Sequence, residues 1–111
     1  MFEKISSNEQ YYFLLAKALV AAFDFLGGAD KYRPEFNYLT NPVVRKGMQV
    51  LNKRVLRFLA NIYPSVIGPN QDLAEVYKQI VNWNEANANS YLDEPSCEDA
   101  FYKGLHGIKL K

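Results

Sequence analysis

Ser6-Ser7-Asn8-Glu9-Gln10-Tyr11-Tyr12-Phe13-Leu14-Leu15-Ala16-Lys17-Ala18-Leu19-Val20-Ala21-Ala22-Phe23-Asp24-Phe25-Leu26-Gly27-Gly28 is the stretch on which the fold turns. Ser7 with Gln10, or Ser6 with Glu9, forms a capping box that starts a helix. Gly27-Gly28 suits the left-handed residue that closes one. Turned at 100° per residue, the segment is apolar in nearly every direction, and only Gln10, Lys17 and Asp24 make a narrow polar strip. A helix of this girth needs neighbours on most of its sides. The run from Tyr11 to Leu26 is interrupted by Lys17 and Asp24 and is shorter than the roughly 20 residues that cross a bilayer, so it reads as a core helix.

Its neighbours follow along the chain. After a linker from Ala29 to Thr40, Asn41-Pro42 pairs a good N-cap with proline at the first helical position. A helix is therefore expected from Pro42 to Ile62, stopping before Tyr63-Pro64. Asn70 caps a third helix, about Gln71 to Leu92, with Leu73, Val76, Tyr77, Ile80, Trp83 and Tyr91 as its core stripe. Asp93-Glu94-Pro95 breaks the chain, and Ser96 with Asp99 opens a short helix to about Leu105. No segment alternates apolar and polar residues for long, and no Asn-Gly hairpin turn occurs. The expectation is an all-α, compact helical bundle of three long helices plus a short C-terminal helix, one domain over residues 1–111.

Bulk composition narrows the functional classes. The chain has 111 residues, with seven Phe, eight Tyr and one Trp, which excludes disorder. The net charge is only +1, so any hold on nucleic acid must come from a local patch. A single cysteine, Cys97, makes no internal disulfide and fits a reducing cytoplasm. Residues 1–7 lack the basic region, apolar run and cleavage site of a signal peptide.

Catalysis finds little support. The one histidine, His106, lies nine residues from Cys97, and a Cys–His nucleophile needs contact and a third orienting group. There is no Cys-x-x-Cys, no His pair, no calcium loop and no phosphate-cradling loop. A non-enzyme is expected, with no metal, no cofactor and no small-molecule substrate.

The charge pattern is more informative. Residues 1–41 carry −1, residues 42–63 carry +5 and residues 64–111 carry −3. On the wheel of the second helix, Lys46, Lys53 and Arg57 lie within about 40° of one another, with Arg54 beside them. Val44, Met48, Leu51, Val55, Phe58, Leu59 and Ile62 take the opposite side. From Lys46 to Arg57 is about 16 Å along a helix axis, enough to follow several phosphates of one strand. No Asp or Glu is present to form i,i+4 pairs, which is unusual for a merely solvated face. Phosphate contact, docking on the acidic C-terminal third of a neighbouring copy, and simple solvation are the three fates open to this stripe. The consecutive Tyr11, Tyr12 and Phe13 point to three sides of the first helix, as core residues or as rings that stack on bases.

Two segments resemble a known family. Asn8-Glu9-Gln10-Tyr11-Tyr12-Phe13-Leu14-Leu15-Ala16 is similar to the start of the helical C-terminal region of large subunits of type I CRISPR effector complexes (Cascade), a region also made separately as the complex's small subunit. Ala100-Phe101-Tyr102-Lys103-Gly104-Leu105-His106-Gly107 resembles an aromatic-x-x-Gly segment of the same helical domains. The resemblance implies a non-catalytic structural subunit of an antiviral RNA-guided surveillance complex. Its partners would be backbone and large subunits, further copies of itself, and the backbone of target or displaced DNA, with guide RNA as a further contact. The family has no invariant ligand set, so Lys46, Lys53, Arg54 and Arg57 stand as nucleic-acid-binding candidates on the wheel alone. The competing expectation is a small helical protein acting through protein contacts only, such as a bacterial immunity protein or a phage protein.

Overall fold

The computed structural model describes residues 4–27, 37, 41, 47–87 and 95–110. It is all-α, with four helices and a π-helical turn among those residues: α1 (Asn8–Phe25), α2 (Met48–Ile62), the π-turn (Tyr63–Ile67), α3 (Gln71–Ala86) and α4 (Pro95–Leu105).

Helix α1 starts where its cap residues place it. Ser7 is extended, and its Oγ accepts from the Gln10 amide at 3.1 Å. Gln10 reaches back one residue further than a simple box, its Oε1 accepting from the Ser6 amide at 2.8 Å. At the other end Gly27 has φ 116°, a conformation in which a Cβ would be strained.

The apolar girth of α1 is covered on most sides, with Phe25 near its end left exposed. The helix packs against α4 most extensively, and also against α3, α2 and the π-turn. Tyr11, Tyr12, Leu15, Ala16, Leu19 and Ala22 are fully buried. Each large side chain among them contributes about 1.5–3 kcal/mol relative to an exposed position. Phe13 is half-buried, with the Lys17 ammonium 5.3 Å from its ring centroid. The consecutive aromatics thus resolve into two core rings and one at the rim.

The α1–α4 contact is close because α4 brings small residues to it. Cys97, Ala100, Phe101 and Gly104 form one buried stripe at steps of three and four. A Cβ on Gly104 would run into the Phe13 carbonyl oxygen and stand 2.7 Å from the Ala16 Cβ, so only glycine permits this approach. The outer side of α4 carries an Asp99–Lys103 ion pair at 3.0 Å, exposed and worth only a few tenths of a kcal/mol.

Three boundaries differ from the sequence expectation. Helix α2 starts at Met48, because Gly47 at φ 109°, ψ 161° prevents a helix from running through it from Pro42; residues 42–46 lie outside the described set. At its far end the chain does not stop before Tyr63-Pro64 but winds on as a π-turn. Pro64 has no N–H for the α ladder, and the Gly68 amide instead closes on the Tyr63 carbonyl at 2.8 Å. Helix α3 ends at Ala86 rather than Leu92. Asn87 leaves helical geometry, and both its backbone amide and its side-chain Nδ2 donate to the Trp83 carbonyl. Tyr91 lies outside the described residues.

Candidate nucleic-acid interface

What fixes the orientation of α2 is the chemistry of its inner face. Met48, Leu51, Val55 and Leu59 are buried, with Phe58 and Ile62 packed at the margin. Asn52, the only buried polar side chain among the described residues, sits among them. Its Oδ1 accepts from the Tyr11 hydroxyl of α1, and its Nδ2 donates to Asn84 Oδ1 of α3 at 2.9 Å. The Tyr12 hydroxyl donates to the Met48 carbonyl at 3.3 Å. Phe58 stacks on Phe23 of α1, centroids 4.8 Å apart and planes 12° from parallel. Three helices are therefore bonded through one buried amide, and a ring stack stops α2 from rolling.

The outer face inherits that order. Lys53 follows Asn52 in sequence and Arg57 precedes Phe58, so each cation is one residue from an inward anchor. Both are exposed, while Arg54 is half-buried. Lys46 lies outside the described residues, and the helix that carries Lys53, Arg54 and Arg57 begins after Gly47.

A row of exposed polar side chains lies within α2 itself. Gln49, Lys53, Arg57 and Asn61 follow at steps of four, and all four are exposed. Together they span about 18 Å, equal to the rise of about five nucleotides of one strand. Every side chain in the row can donate hydrogen bonds, and helix α2 contains no carboxylate. Val50, also exposed, lies beside them. The two amides escape a reading based on charge because they carry none; their signal is the four-residue step, visible once the cations are placed.

Among the described residues neither Lys53 nor Arg57 has an ion-pair partner. Like charges at i,i+4 repel by a few tenths of a kcal/mol. A polyanion laid along the row removes that repulsion.

The residues weighed for catalysis do not assemble. Cys97 is fully buried against the core, whereas His106 is exposed beyond the end of α4, its ring 4.4 Å from Tyr102. Among the described residues no three His, Cys, Asp or Glu side chains come together as a metal site. No helix among them is long and apolar enough to cross a membrane.

Beyond the C-terminal end of α2, Tyr63 of the π-turn meets Tyr77 of α3, ring centroids 5.3 Å apart. Burial, and secondarily the Tyr63 phenol beside it, push the Tyr77 phenol above its usual 10.0. The folded state therefore holds this proton more tightly than the unfolded state does. The associated stability is complete below pH 10 and is lost as pH rises through the raised value. Thermal denaturation followed from pH 9 upward should show a decline that Tyr77→Phe makes shallower. An unchanged slope in the variant would assign the decline to other groups.

Comparison of the chain with protein-family models, with characterised proteins and with solved structures finds no match.

Proposed function

We propose that this protein is a non-catalytic structural subunit of a nucleoprotein complex, and that it lays the outer face of α2 along a nucleic-acid backbone. The observation that carries the reading is the exposed row Gln49–Lys53–Arg57–Asn61, held in place by Asn52 and Phe58 on the inner face and free of carboxylates along its helix. Arg54 flanks the row. Such a row can donate along the phosphate and sugar oxygens of a strand.

The CRISPR resemblance supplies the assembly in which this contact is made. The two segments that carry it, residues 8–16 and 100–107, meet in the fold at the crossing of α1 and Gly104. In that setting the subunit lines an RNA-guided surveillance complex beside its backbone and large subunits and further copies of itself. The strand met is target or displaced DNA. A net charge of only +1 suits a subunit positioned on nucleic acid by its neighbours.

The test is a salt series with a fluorescently labelled single-stranded oligonucleotide, read by anisotropy. With Lys53, Arg54 and Arg57 each neutralising one phosphate, log K should fall against log salt with a slope of about −2. Combined Lys53→Glu and Arg57→Glu should abolish binding while leaving helicity unchanged. A flat salt dependence, or undiminished affinity in the double variant, rules out phosphate contact by α2. It would favour the alternative, a helical protein that works through protein contacts alone.

A further inference from the structure

We draw no further inference here: the strongest candidate, the hollow of about 270 Å³ where Lys4 and Ile5 meet Gln79 and Trp83 of α3, is open to solvent and nothing in the structure shows what covers it, the Gln79 Oε1 that lacks a partner among the described residues being sealed from solvent rather than turned into the hollow.

Discussion

Gly104→Ala is expected to lower stability by about 3 kcal/mol, with the midpoint of thermal unfolding falling by roughly 10–20 °C. Two effects oppose one another at this position. On an exposed helix, glycine to alanine stabilises by roughly 0.5–1 kcal/mol, because glycine loses more backbone freedom on folding. Here the added methyl meets the Phe13 carbonyl oxygen and the Ala16 Cβ of α1, and neither belongs to a flexible side chain that could swing aside. Helix α4 would have to lift away from α1, loosening Phe101 and Cys97, which are fully buried. Steric exclusion therefore outweighs propensity. Gly104→Val, with two more methyl groups, should show no cooperative transition near ambient temperature, since whole domains are stable by only about 5–15 kcal/mol. Circular dichroism melts decide the matter. A melt unchanged or raised in Gly104→Ala would mean that α4 does not cross α1 at glycine.

The second large effect belongs to Asn52. Asn52→Ala should cost about 3 kcal/mol, combining the loss of buried volume with the loss of two hydrogen bonds. The Tyr11 hydroxyl loses its acceptor on α2, and Asn84 loses its donor. A double-mutant cycle separates polarity from packing. Asn52→Leu alone leaves polar groups facing a hydrocarbon, whereas Asn52→Leu together with Tyr11→Phe removes both members of the pair. The coupling should be favourable and within about 0.5–3 kcal/mol. Additive losses would show that the Tyr11–Asn52 bond contributes nothing to the fold. Because Asn52 also orients Lys53, the alanine variant should weaken oligonucleotide binding even at temperatures where it remains folded.

Much of the architecture could be read from residue order, for physical reasons that differ by element. Helix α1 announces itself because its start is chemical, a serine oxygen capping an amide, and its end is a glycine able to take positive φ. The inward faces of α2 and α3 follow from spacing alone: Met48, Leu51, Val55 and Leu59 on one, Leu73, Val76 and Ile80 on the other.

The start of α2 was obscured by competing signals. Asn41-Pro42 is a strong opening, and Val44 and Met48 keep helical step across Gly47. Glycine within such a pattern costs a helix only about 1 kcal/mol, so its turn to φ 109° is not legible in the sequence. Pro64 signals a stop, but a proline lacks only its own donor, and a wider turn can absorb that loss. For the candidate interface, charge singled out Lys46, Lys53, Arg54 and Arg57, of which Lys46 lies outside the described residues, whereas Gln49 and Asn61 gave no charge signal. The contact of Tyr63 with Tyr77 depends on the π-turn, and so could not be seen before the backbone was known.

The crossing of α1 by α4 has a consequence for how the chain comes to be folded. Its contacts join Phe13 and Ala16 to Gly104, about 90 residues further along the chain. A helix that is apolar almost all round thus receives its principal cover only when residues 97–104 have been made and have folded back onto it. Loop closure over so many residues is slow compared with local helix formation. Until then Leu15 and Leu19 have no settled environment. The interval between the making of α1 and the docking of α4 is therefore the one in which the chain is most prone to aggregate.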